Sequence, residues 1–313
     1  MVMMAGPRAE RRAFRMNAPS PQPAHPGFGL PPITLIRIRD LIYQAAGIFH
    51  PDNKLALLGD RCKRRMKALN LKQLEEYFER LTLGPTRHTE LITLLNEITV
   101  GETCFFRSRA QLEALVHVVL PNILSAKAGF PVRRLRLWSA GCSTGEEPYT
   151  LRMMLLDAPE LLKGWSLEIL ATDINERSLE HAQRAVYDSY STRHLSAECR
   201  RKYFIPLSGR LQVAPLARSN IRFSRLNLSD DTRTAAFQNL DVIFCCNVLI
   251  YFDLASKRQV LRRFVDALAP HGYLFLGQSE SLYGVSEDFR LIHLPRATAY
   301  MKNGPAARAG SES

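Results

Sequence analysis

Trp138-Ser139-Ala140-Gly141-Cys142-Ser143-Thr144-Gly145-Glu146-Glu147-Pro148-Tyr149 joins a short apolar run, Leu135 to Ala140, to a helical stretch, Glu147 to Leu156. An apolar strand that turns through glycines into a helix is the building unit of doubly wound parallel sheets. Such sheets bind nucleotide-like ligands in the crevice at the carboxyl ends of their strands. Working outward, Leu167 to Thr172, Asp241 to Cys246 and Gly272 to Leu276 read as further strands, with helices over Glu176 to Ala185 and Ala255 to Ala267. Apolar strands alternating with amphipathic helices favour a parallel sheet covered on its faces, an α/β fold. Tyr187 to Asn220 breaks this rhythm with Arg, Ser, Pro and aromatic residues, and Tyr203-Phe204-Ile205 and Leu211-Gln212-Val213 flank Ser208-Gly209. That block predicts an inserted hairpin or small antiparallel β lobe at one end of the main sheet.

Upstream the texture is helical. Leu55, Leu58, Cys62, Met66 and Leu69 recur at steps of three and four, and Leu71, Leu74, Tyr77, Phe78 and Leu81 form a second stripe that Gly84-Pro85 stops. A further helix is expected from Arg87 to Ile98, and no strand signal intervenes. The organisation expected is a disordered lead-in over 1–32, a small all-α domain over 33–100, an α/β domain over 101–302 with its insertion near 187–220, and a flexible tail over 303–313.

Composition sets the outer bounds. The 313 residues carry 42 Lys plus Arg against 30 Asp plus Glu, a formal charge of +12. At 46% hydrophobic and 9% aromatic content, wholesale disorder is excluded. No run reaches the roughly 18 apolar residues of a membrane helix. The greasiest stretch, Asp241 to Asp253, carries Asn247 in its middle and reads as a buried strand and its exit, so no membrane insertion is expected. The six cysteines, at 62, 104, 142, 199, 245 and 246, form no C-x-x-C pair and have no histidine at ligand spacing. Neither a zinc site nor a disulfide framework is indicated, and a reducing cytoplasm is the simplest location. The basic start lacks the apolar core of a secretory signal.

The chemistry gathers at the strand ends. Gly141 and Gly145 let the backbone approach a ligand closely, yet the G-x-G-x-x-G of dinucleotide folds and the lysine of a phosphate-binding loop are both missing. Glu146 and Glu147 stand where a pyrophosphate would otherwise sit. A cationic, phosphate-free nucleoside such as S-adenosylmethionine fits that pair better. The plainer alternative is local: Ser143-x-x-Glu146 and Thr144-x-x-Glu147 both match a capping box, and acids suit a helix start. Asp173, closing the second strand, is placed to accept ribose hydroxyls or, equally, to cap the next helix. Asn247 and Tyr251 follow a central strand and offer an amide and a phenol at its rim. The vicinal Cys245-Cys246 reads as packing in a buried strand. In Gly101-Glu102-Thr103-Cys104-Phe105-Phe106-Arg107, Arg107 offers a planar fork for a carboxylate. Finally, Arg61, Lys63, Arg64 and Lys67 lie opposite the apolar stripe of their helix, with Arg65 at its margin. That positive face is either merely solvated or an electrostatic dock for an acidic partner, nucleic acid or acidic protein helix.

Taken in order, the basic Asp60-Arg61-Cys62-Lys63-Arg64-Arg65 stretch, Gly101 to Arg107, Trp138 to Tyr149, Ala171 to Ile174, Asn227-Leu228, Phe244 to Asp253 and Gly277-Gln278-Ser279-Glu280-Ser281-Leu282 resemble the CheR-type chemotaxis receptor methyltransferases over about residues 33 to 301. The resemblance implies a Rossmann-like methyltransferase sheet and methyl transfer from S-adenosylmethionine to receptor glutamates. It implies that Thr103 and Arg107 contact the cofactor, that Glu146 or Glu147 binds near its methionine part, and that Asp173 holds the ribose. Asn227, Leu228, Cys246 and Asn247 would flank the adenine or methionine tail, and Gly101 and Gly141 are also expected at the cofactor. Tyr251 would sit close to the transferred methyl and, with Arg107, shape the catalytic pocket. Arg61, Lys63, Arg64, Arg65 and Lys67 would dock the acidic methylation helices of membrane chemoreceptors. The chain departs from many relatives by Gly101 in place of Asn and Cys246 in place of Arg, which leaves a catalytically impaired signalling module of the same fold as an alternative. Pro206-Leu207-Ser208-Gly209-Arg210 replaces the Gly-x-Gly-Gly loop that grips a receptor's terminal peptide, so tether-free recognition is expected. The lack of stacking aromatics among the basic residues counts against a nucleic-acid substrate. A receptor glutamate, with an ordinary pKa near 4.3, is already an ionised nucleophile at pH 7, which accounts for the lack of a Ser-His-Asp or Cys-His set.

Overall fold

The computed structural model describes residues 33–99, 101–230 and 237–303. The tails expected over 1–32 and 303–313 lie outside the described residues, Asn303 apart. Apolar positions three or four apart bury one face of each of four helices: α1 (Ile33–Ala46), α2 (Leu55–Ala68), α3 (Leu74–Thr82) and α4 (Arg87–Ile98). Ile38, Ile42, Leu58, Cys62, Tyr77, Leu81 and Leu94 meet in a shared core. Arg65 is not on the outward basic face: its Nε and Nη2 donate to Glu90 Oε1 and Oε2 at 2.9 and 2.8 Å, and Tyr77 Oη donates to the same carboxylate at 3.0 Å. A buried carboxylate needs such partners, and Arg65 is the cation that supplies them.

Two further helices, α5 (Arg109–Ala114) and α6 (Leu120–Ala126), are joined by a π turn over Leu115–Val119 and lead into the sheet. Its strands are β1 (Arg134–Ala140), β2 (Ser166–Asp173), β6 (Ile221–Arg225), β7 (Leu240–Cys245), β8 (Leu268–Leu276), β9 (Phe289–Leu294) and β10 (Ala297–Lys302). The order is β6-β2-β1-β7-β8-β10-β9, with β10 antiparallel to both neighbours and the first five strands parallel. Helices α7 (Glu146–Leu156), α8 (Glu176–Arg184) and the long helix Leu254–Ala267 follow β1, β2 and β7. Period-two alternation divides the core. Leu135 and Leu137 pack with Leu112, Leu120 and Leu151 on one face; Trp138 and Ala140 pack with Val260, Leu261 and Phe264 on the other. Each of these leucine, valine and phenylalanine side chains contributes roughly 1.5–3 kcal/mol when fully buried. Strand order reverses between β1 and β7, which makes the carboxyl ends of those strands the topological switch point.

The block after Ala185 forms a separate three-stranded antiparallel sheet of β3 (Val186–Tyr187), β4 (Phe204–Leu207) and β5 (Arg210–Val213), ordered β3-β5-β4. Ser208 and Gly209, both at positive φ (47° and 77°), make the two-residue turn that joins β4 to β5. The lobe lies at the carboxyl end of the main sheet: Tyr187 Oη donates to Thr144 O at 2.6 Å, and Phe105 N donates to Ser191 O at 3.0 Å. Among the described residues, no helix is long and apolar enough to cross a membrane.

Candidate active site

Gly141, directly after β1, holds φ at +81°, and a Cβ there would stand 2.4 Å from Val248 Cγ2. Glycine alone lets the β1 turn pass this close to the turn after β7. The helix that follows is capped by Gly145 without any side-chain hydrogen bond, so neither capping box forms. The two hydroxyls that would have capped are used elsewhere. Ser143 Oγ donates to Gly101 O at 3.2 Å, and Thr144 Oγ1 donates to Glu146 Oε2 at 2.6 Å. Asp173 does not cap α8 either. Asn175 does, accepting from Ser178 N at 3.0 Å. Asp173 instead receives Ser143 N on Oδ2 and Asn175 N on Oδ1, both at 2.8 Å, which ties the turn after β1 to the end of β2. Burial nonetheless lifts its carboxyl above the ordinary range.

The adjacent glutamates point to different places. Glu146, 1% exposed, is absent from the cavity wall and packs toward Ser191 and Asp188 at the start of the inserted lobe. Glu147 lines the cavity, accepts from Ser139 Oγ at 2.6 Å, and is pushed up to about 7 by burial. A carboxyl held there is under-solvated, and a cation beside it would favour its ionised form.

The turn after β7 is held from a distance. Glu280 Oε2 accepts from Asn247 N and Gly277 N, both at 2.7 Å, and its Oε1 accepts from Ile250 N at 3.2 Å. A Cβ at Gly277 would stand 2.8 Å from that carboxylate and 2.9 Å from Asn247 N, so the contact requires glycine. The motif containing Glu280 was visible in the sequence, but nothing local revealed this clamp.

A cavity of about 580 Å³ opens over the carboxyl ends of β1, β2 and β7. Gly101, Thr103, Arg107, Gly141, Glu147, Asp173, Asn227, Leu228, Cys246, Asn247 and Tyr251 all line it; among the expected cofactor and catalytic residues Glu146 alone does not. Arg107 and Tyr251 are exposed, whereas Glu147 and Asp173 lie deeper. Arg107 Nη1 donates to Glu102 O at 2.8 Å, and Tyr251 is raised by burial, partly offset by Arg107. Of the basic residues on α2, none lines the cavity. Sequence reasoning missed the contribution of the helical segment: Phe49, His50, Lys54 and Leu57 complete the wall. Asn227 Nδ2 donates to Ala45 O at 2.8 Å and Ser229 Oγ to Ala46 O at 3.0 Å, fixing that segment to the turn after β6. Gly47 and Pro51, ahead of the first helical stripe, are local signs of a connection there.

Residues 33–99 match the family model described as CheR methyltransferase, all-alpha domain, and residues 101–298 match CheR methyltransferase, SAM binding domain. The chain belongs to the CheR methyltransferase family. It is 35% identical over 267 residues to chemotaxis protein methyltransferase 2 of Vibrio cholerae serotype O1, covering 85% of this chain and 91% of that protein. Chemotaxis protein methyltransferase 1 of Pseudomonas aeruginosa is 34% identical over 267 residues, 84% of this chain and 95% of that one. The chemotaxis protein methyltransferase of Escherichia coli is 34% identical over 261 residues, 82% and 86% respectively. This CheR methyltransferase therefore uses S-adenosylmethionine, and its activity is methyl transfer in chemotaxis. The cavity suits that cofactor. Its volume falls in the roughly 300–1,000 Å³ range of small-molecule sites. Its deeper wall presents the under-solvated carboxyl of Glu147 and the carboxyl of Asp173, an acceptor pair that favours a cation and disfavours a pyrophosphate.

Proposed function

We propose that this CheR methyltransferase esterifies glutamate side chains of chemoreceptors, as expected from the motif resemblance. The observation that carries the reading is the charge layering of the cavity, carboxylates within and Arg107 with Tyr251 at the exposed end. S-adenosylmethionine supplies an electrophilic methyl on a sulfonium. The accepting glutamate is ionised at neutral pH and supplies its own electron pair. Transfer of that methyl to a carboxylate oxygen would leave the carbon–sulfur bonding pair on sulfur and would require no proton transfer. The protein's task is therefore to bind, align and exclude water.

Glu147 holds the cationic methionine part of the cofactor, and Asp173 takes the ribose hydroxyls. Thr103, Asn227, Leu228, Cys246 and Asn247 complete the cradle, and Gly101 and Gly141 keep its backbone close. Arg107 orients the incoming carboxylate and Tyr251 walls off the transfer path. Arg61, Lys63, Arg64 and Lys67 draw in an acidic receptor helix. The test is incubation with methyl-labelled cofactor and receptor-containing membranes, followed by alkali. Glutamate esters release volatile methanol, whereas base-stable label, or label in nucleic acid, refutes the substrate assignment. Arg107→Ala is expected to lower kcat/KM for receptor by about 100-fold, because misplacing the nucleophile is costly in an alignment-driven reaction.

A further inference from the structure

Four large apolar side chains line the cavity and are yet more than a third exposed: Phe49 (47%), Leu57 (53%), Ile250 (50%) and Tyr251 (37%). A side chain that is both cavity wall and outer surface belongs to the rim of the mouth. The rim is pieced together from the α1–α2 connection with the first turn of α2, and from the turn after β7. Phe49 N donates to Tyr251 O at 2.9 Å, and Ile48 and Phe252 form an antiparallel bridge beside it. Tyr43 meets the Phe49 ring edge-on with centroids 6.4 Å apart. With Ile250 N also anchored on Glu280, the rim is preformed. Tyr251 apart, methyl transfer to a carboxylate demands no exposed apolar surface there, so Phe49, Leu57 and Ile250 have another use.

We infer that this rim is a docking collar for the apolar flank of the acidic amphipathic helix that carries the accepting glutamate, an inference that rests on the receptor-glutamate reading above. The occupant follows from what adjoins the collar. Leu57, Arg61 and Arg64 are spaced i, i+4, i+7 and share one face of α2, so the apolar rim runs directly into positive charge over about 10 Å. A partner helix with apolar residues beside its accepting glutamate and further acids one or two turns away matches that succession. Basic occupants do not. Residues 1–32 of this chain carry four arginines against one glutamate, and a second copy brings +12, so both are repelled by the α2 face.

The test uses a soluble helical chemoreceptor fragment with glutamates at its methylation positions, and a matched fragment in which the apolar residues next to the accepting glutamate are replaced by glutamine. Each is assayed with the wild-type enzyme, a Phe49→Ser/Leu57→Gln variant and an Ile250→Ser variant, and S-adenosylmethionine affinity by calorimetry serves as the control for folding. The wild type is expected to show a KM about tenfold lower for the apolar fragment, with kcat within about twofold. The variants are expected to lose that preference while still binding the cofactor, which shows that they fold. Variants that discriminate as well as the wild type, or a wild type that does not discriminate while forming esters, overturn the collar alone. Absence of base-labile methyl on either fragment overturns the glutamate reading and the collar with it. A wild-type dimer in sedimentation that the Phe49→Ser/Leu57→Gln variant abolishes would assign the rim to a second copy and overturn the inference.

Discussion

At Glu147, burial lifts the carboxyl from 4.5 to about 7 despite the hydrogen bond from Ser139. The native state thus binds more protons than the unfolded chain between those values, so in the cofactor-free protein this group's contribution to stability falls as pH rises through that window. Urea denaturation at pH 5 and pH 7.5 should show this loss in the wild type and not in Glu147→Gln. A cationic cofactor reverses the preference. Its affinity should fall as pH drops below about 7, with a proton released on binding near pH 6, read by calorimetry in buffers of different ionisation enthalpy. Glu147→Gln should weaken S-adenosylmethionine binding by about tenfold or more. Glu146→Gln, away from the cavity, should leave it nearly unchanged; equal losses in both would refute the assignment. That one of two adjacent acids would line the cleft was legible in the sequence. Which one was not, because the orientation depends on where Gly145 starts the helix and on the lobe that receives Glu146.

At the scale of elements, hydrophobic period located β1, β2, β7 and β8, and the helices after the first three of them, to within a few residues. It missed β6, β9 and β10. Ile221–Arg225 alternates with two arginines at the sheet's edge, and β9 and β10 follow the end of the strand–helix rhythm. Both capping boxes were false because the pattern encodes a possibility, while the left-handed Gly145 and the competing partners of Ser143 and Thr144 decided the outcome. The turn after β7 gives the clearest element-scale prediction. Glu280→Gln leaves one acceptor oxygen where two serve three amide donors. It should cost about 1–3 kcal/mol in denaturant unfolding and weaken cofactor binding by disordering the Asn247 turn.

Across the whole molecule, the helical segment closes the cavity that the sheet opens. Its outward charges are expected to set the salt dependence of receptor methylation: raising ionic strength should increase KM for receptor with little change in cofactor affinity. Arg64→Glu should raise that KM and flatten its response to salt. Arg65→Ala should behave differently, losing about 3 kcal/mol of stability because Glu90 is left buried without its cation. A rise in KM without destabilisation would return Arg65 to the docking face.

Residue type and period alone determined the parallel sheet with its inserted lobe, the helical lead domain, the glycine turn and the acids at the strand ends. Those features are set by neighbours a few positions apart, where backbone freedom and side-chain alternation are written directly in the chain. Only the folded molecule decided that Glu147 rather than Glu146 lines the cavity, that Arg65 is spent on Glu90, that Glu280 clamps a turn 33 residues away, and that Phe49 and Ile250 share one rim. Each depends on segments distant in sequence meeting in space, and the burial and hydrogen bonding that fix such a meeting leave no periodic trace in either segment.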